Sequence, residues 1–218
     1  MQPNECLIVG FMGSWESWNS DQRPVRKLAL RLQAMQLPGV HVETVENARR
    51  DLALELVRKV LDRNGDDVLD ANERSSARVI LYGHSFGGAA VLKFARQLKE
   101  LGVPVLLTIQ VDSVGRDDSI VPSNVAQAAN FYQHSGLLIR GQPVIRSQDP
   151  EHTVILGNFR YDAHGQRIST ADYPWPARLF ARAHTRMASD PELWQDVEEL
   201  ILKEVGQKTA VGLGSREK

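Results

Sequence analysis

Apolar residues fall along this chain in two alternating rhythms. Short apolar runs at residues 6–9 and 79–82, and a nearly all-apolar one at 103–111, have the length and branched content of strands covered on both faces. Residues 40–45 alternate with period two, which predicts a strand exposed on one side. Between these runs the apolar positions switch to helical spacing: Leu28, Leu32 and Met35, then Leu52, Leu56 and Val60, then Leu92, Phe94 and Leu98. Ser20 or Asp21 is placed to cap the first of these helices, Pro24 sits in its first turn, and Pro38-Gly39 stops it. Asn47 is placed to cap the second, which runs to Leu61, and Gly102 ends the third. Past Pro122, the spacing of Val125, Ala128, Ala129 and Phe131 predicts another helix, and residues 153–156 predict a strand. Asp190-Pro191 opens a last amphipathic helix through Leu193, Trp194, Val197, Leu200, Ile201 and Val205. The rest of 134–176 reads as polar loops, and 208–218 as a flexible tail.

Strands alternating with helices predict an α/β fold: three layers, a mainly parallel sheet with helices on both faces. With 218 residues, 42% of them hydrophobic, the chain can bury one sizeable core, so a single domain is expected over 1–207 with no separate lid. A net charge of −1 gives no electrostatic case for nucleic acid or an anionic membrane. No segment approaches the roughly 20 apolar residues of a membrane span. The single cysteine, Cys6, excludes an internal disulfide framework and a zinc-thiolate cluster. The first residues carry neither a basic leader nor a long apolar stretch. That reads as cytoplasmic by default, or exported if a leader has been removed.

The chemistry concentrates where the run Val79-Ile80-Leu81-Tyr82 meets Gly83-His84-Ser85-Phe86-Gly87-Gly88 and an Ala- and Leu-rich helix follows. A serine in G-x-S-x-G between a strand and a helix is the pattern of a nucleophile presented on a sharp turn. A bare turn with an exposed serine is the bland alternative, and the flanking strand and helix favour the sharp one. A serine hydroxyl needs a base, commonly histidine, held in turn by a carboxylate. His84 adjoins the serine, so its side chain is expected to point away from the reacting side. His41 precedes the elbow, and His152 falls at the amino end of its strand. Among His134, His152, His164 and His184, the last is favoured because it lies in a late segment, read as a loop, directly before the final helix. For the carboxylate, Asp112 stands at the carboxyl end of the strand after the elbow helix, where reactive groups of such sheets gather. Asp118, in the loop that follows, is the alternative; a solvated turn is the plain reading of Asp117 and Asp118. The backbone N–H of Phe86 is expected to hold a developing oxyanion, together with Phe11 or Met12 from the loop after the first strand. Trp15 and Trp18 line an acyl pocket or fill core.

With these residues in place, the chain resembles the α/β-hydrolase superfamily over nearly its whole length. Gly83-His84-Ser85-Phe86-Gly87-Gly88 is similar to the lipase and thioesterase elbow, Gly10-Phe11-Met12-Gly13 to the oxyanion loop, and the order Ser85, Asp112, His184 to the superfamily's order of serine, acid and histidine. The resemblance implies a serine esterase, lipase or thioesterase acting on a small-molecule ester or thioester, without an organic cofactor.

A second motif stands before the elbow. Asp62, Asn64, Asp66, the carbonyl of Val68, Asp70 and Glu73 fall at the oxygen-ligand offsets of an EF-hand-like calcium loop over 62–73. Its one departure is Asp67 at the sixth position, where glycine is usual for the turn. A structural calcium is expected there, against the alternative of an acidic loop whose side chains cap turns and the next helix. Two other functions compete with hydrolysis: acyl transfer to an acceptor other than water, and a non-catalytic, calcium-dependent binding module on the same fold.

Overall fold

The computed structural model describes residues 5–136, 139–161 and 168–213. Six strands, β1 (Cys6–Met12), β2 (Val40–Glu46), β3 (Val79–His84), β4 (Val105–Val111), β6 (Val125–Tyr132) and β8 (Val154–Arg160), form one sheet in the order β2-β1-β3-β4-β6-β8. Every neighbouring pair in it is parallel. A short parallel pair, β5 (Ile120–Val121) and β7 (Arg146–Ser147), stands apart from it. Two helices, α1 (Pro24–Ala34) and α7 (Pro191–Leu213), cover one face, where Val25, Leu28 and Leu32 share a core with Leu193, Trp194, Val197 and Ile201. On the other face, α2 (Arg50–Leu61) and α4 (Phe86–Glu100) bury Ala53, Val57 and Leu61 with Val91, Phe94 and Leu98. Short helices α3 (Ala71–Ser75), α5 (Trp175–Phe180) and α6 (Arg182–Ala188) complete the description. This is the three-layer α/β architecture that the alternation of periodicities predicts, with a central strand leading through a sharp turn into a helix.

The central strands β1, β3 and β4 are buried at every position. That explains why their sequences are continuous apolar runs and not alternations. The edge strands β2 and β8 keep exposed positions.

Three sequence-based expectations are corrected by this arrangement. The segment around Val125 is strand β6, not a helix. Positions 125, 128 and 129 mimic helical spacing only because β6 lies between β4 and β8 and buries side chains on both faces. Strand β1 continues through Gly10, Phe11 and Met12 where a break was expected. Gly10 is there for packing: a Cβ on it would lie 2.6 Å from the Tyr82 ring. Lastly, neither α1 nor α2 has a side-chain cap; Arg23 and Arg49 occupy those positions. Asn47 instead donates its Nδ2 to the Gly13 carbonyl at 2.7 Å, and Asp21 accepts from Arg26. Helical backbone in α7 reaches Leu213; the last part of the expected tail, 214–218, lies outside the described residues.

The chain reverses its direction of travel across the sheet between β1 and β3, since β2 lies on one side of β1 and β3 on the other. Crevices in such sheets open at the carboxyl ends of the strands flanking that point. Here those ends lead into Gly13 and Ser85.

Candidate active site

Ser85 sits between β3 and α4 at φ 59 and ψ −124. A non-glycine residue held there stores about 1–3 kcal/mol of strain, tolerated where the surroundings over-determine it. The surroundings do so. Ser85 N–H donates to the Val111 carbonyl at 3.0 Å, and the Ser85 carbonyl accepts from Gly88 at 3.0 Å and Val114 at 3.1 Å. Two glycines give the turn its room. A Cβ on Gly83 would strike the backbone of Gly87, and one on Gly87 would run into the carbonyl oxygen of Phe11. The first helical residue is Phe86, so its N–H has no acceptor within α4.

Asp112 follows β4 directly, is wholly buried, and adopts a positive φ of 43. Gln133, just past β6, donates to it twice, from its backbone N–H at 3.3 Å and from Nε2 at 3.2 Å. Gly141 packs against the carboxylate so closely that a Cβ would collide with Oδ1. Oδ2, the oxygen that also accepts from Gln133 Nε2, is 2.6 Å from Nδ1 of His184. His184 lies on α6 and not in a loop, and is 7% exposed. Its imidazole is thus fixed at one nitrogen by a buried carboxylate. Ser85 Oγ makes no hydrogen bond to that ring among the described residues; in the resting state such contacts are often long and tighten only around substrate.

The other histidines stand elsewhere. His41 pairs with Glu5 near the amino end of β2, and the exposed His152 contacts Asp149 at 2.9 Å. His134 is exposed, and His164 lies outside the described residues. Asp118, the alternative acid, is not a solvated turn residue. It is 5% exposed, accepts from Ser113 Oγ at 2.7 Å, and burial pushes its carboxyl pKa up. Phe11 and Met12 belong to strand β1 and are fully buried. The loop proper begins at Gly13, whose N–H donates to Glu16 Oε2 at 2.9 Å.

Three neighbours of the site escaped the sequence reading. Gln133 holds Asp112. Glu16, 8% exposed, has its pKa raised by burial, with Gly13, Arg23 and His184 opposing the rise. His84 does not point away: its ring stacks on that of His184, centroids 4.5 Å apart. A histidine directly before the serine was the signal for the last; the other two carry none that precedes the fold. Trp15 and Trp18 fill no core. Trp15 is fully exposed and Trp18 about half so, in the loop after β1, and Phe86, Trp175 and Leu179 are exposed too.

In the calcium-like loop, Asp67 adopts the left-handed φ of 62 that the sixth position demands. Asp62 accepts from Gly65 and Asp67 N–H groups, Asn64 from Asp66, Asp66 from Val68, and Asp70 and Glu73 cap α3 reciprocally. The donors suit a hard cation, yet no three His, Cys, Asp or Glu side chains converge to hold a metal among the described residues. No described helix is long and apolar enough to cross a membrane.

No protein-family model matches the chain, and no curated protein matches it. Among solved structures, it is similar to a cutinase-like protein from Cryptococcus sp., at 11% identity and a TM-score of 0.49, over 93% of this chain and 95% of that one. An uncharacterized protein from Pseudomonas aeruginosa is similar at 12% identity and a TM-score of 0.43, over 87% of this chain and 47% of that one. RedJ, solved with a PEG molecule in its active site, is similar at 14% identity and a TM-score of 0.38, over 85% and 91%.

Proposed function

We propose that this protein is a serine hydrolase of carboxylic esters or thioesters, working through an acyl-enzyme on Ser85. The observation that carries the reading is the 2.6 Å contact between the buried carboxylate of Asp112 and Nδ1 of His184, on the same edge of the sheet as a serine held on a strained turn. With its Nδ1 proton directed at Asp112, the ring keeps Nε2 free as a base. Ser85 Oγ gives its proton to Nε2 and forms a bond to the substrate carbonyl carbon. The carbonyl π electrons move to oxygen, where the Phe86 N–H receives the charge at the amino end of α4. Of the two residues expected to supply a second donor we retain Met12, because Phe11 is paired on both sides by β2 and β3, whereas Met12 has β2 alone beside it. Collapse of the intermediate breaks the bond to the alkoxide or thiolate, which takes the proton from His184. Water, deprotonated by the same ring, then releases the acid and restores Ser85. Asp112 holds the tautomer and stabilises the imidazolium.

The test is turnover of p-nitrophenyl esters and acyl thioesters by the wild type and three variants. Ser85→Ala should lose roughly a millionfold in kcat with the fold intact by circular dichroism. Asp112→Asn should lose about 10⁴-fold, through the wrong histidine tautomer, while Asp118→Asn stays within about threefold. Turnover unchanged in Ser85→Ala would remove the proposal, and a larger loss in Asp118→Asn than in Asp112→Asn would reassign the acid.

A further inference from the structure

The residue before the nucleophile is not spent on the strand. His84 ends β3, is 2% exposed, and presents its ring to that of His184 at 4.5 Å with an interplanar angle of 28°. Among the described residues neither of its ring nitrogens has a hydrogen-bond partner, so the stack is the specific contact this side chain makes there. Burial keeps the ring neutral, and His184 and Arg23 nearby act in the same direction.

The bond from Asp112 to Nδ1 leaves the His184 imidazole one freedom that matters. The ring can still turn about that anchored nitrogen and carry Nε2 away from Ser85. A flat neighbour removes this freedom, because two stacked rings hold their planes near parallel. We infer that His84 is a positioning residue, whose flat face is the platform fixing the plane of His184 so that Nε2 is kept available to Ser85 while Nδ1 stays on Asp112. The groups that face His184 are then Asp112 from the end of β4, His84 from the end of β3, and Glu16 from the loop after β1, while Arg23 pairs with Glu16 at 3.5 Å and lies near His84. The inference rests on the serine-hydrolase reading, and its test separates the two.

Steady-state kinetics on a p-nitrophenyl ester would compare the wild type with His84→Ala, His84→Leu and His84→Phe, each also labelled with a fluorophosphonate. Loss of the flat face should lower kcat by about tenfold or more in the Ala and Leu variants, with KM within about twofold. Phenylalanine keeps a flat face and removes two unpaired buried nitrogens. His84→Phe should therefore keep kcat within about threefold and melt no lower than the wild type. Should His84→Ala fail to fold, the comparison of Leu with Phe, equally apolar but only one of them planar, decides alone. Wild-type kcat in the Ala or Leu variant, or a Phe variant as slow as the Leu one, would overturn the inference while leaving a labelled wild type a serine hydrolase. A wild type that takes no label would overturn both.

Discussion

At the scale of single residues, the site is built from conformations that ordinary packing avoids. Ser85 and Asp112 both take positive φ, and both are locked by bonds from their neighbours: Val111, Val114 and Gly88 for the first, Gln133 for the second. His84 adds a buried imidazole without a polar partner among the described residues, and this has a consequence for stability. Its pKa in the folded protein is held well below the ordinary 6.5, chiefly by burial. Below that pH the unfolded chain takes up a proton that the native one refuses. Stability is therefore complete above about pH 6.5 and is lost as the pH falls from there toward the folded value. One unit below 6.5 the loss is on the order of 1 kcal/mol, or about 3 °C in melting temperature for a chain of this size. Melting curves of the wild type and His84→Phe between about pH 7.5 and 5.5 should separate by that amount. Parallel curves would mean that His84 titrates normally. The candidates Ser85, Asp112 and His184 could be named from the sequence because glycine spacing, a strand end and a late position each leave a local mark. Gln133, Glu16 and the stacking of His84 were not, since each depends on which loop arrives beside which strand.

At the scale of elements, the lesson is in β6 and in the loop before α3. Val125, Ala128 and Ala129 repeat as a helix would, and only the presence of a strand on each side makes them a sheet. Alanine-rich strands buried on both faces carry no periodic signal of their own. The loop at 62–73 is the converse case, where the pattern is strong and local. Its side-chain oxygens now accept from the loop's own N–H groups, but a carboxylate has lone pairs to spare for a cation as well. We propose that calcium is taken up here, tying α2 to the short helix before the strand that carries Ser85. Millimolar calcium should then raise the melting temperature by about 3 °C or more, and EDTA should reverse it. The same melting temperature in both would leave the loop a capped turn and nothing more.

At the scale of the whole molecule, the parallel sheet does the assembling. Because all six strands point the same way, the residues that follow β1, β3, β4 and β6 meet at one edge, and α6 brings His184 onto that edge through Asp112. This much of the architecture followed from the alternation of strand and helix periods. The order of the strands did not, since it is set by which helices cover which face. Phe86, directly after the serine, and Trp15, in the loop after β1, stand exposed. The central claim is that the assembly activates one serine, and covalent labelling reads this without any knowledge of the substrate. Treating the intact protein with a fluorophosphonate and mapping the adduct by mass spectrometry should give one modification per chain, on the peptide containing Ser85, and none in Ser85→Ala. An unmodified protein, or an adduct carried on any other serine, would contradict the account.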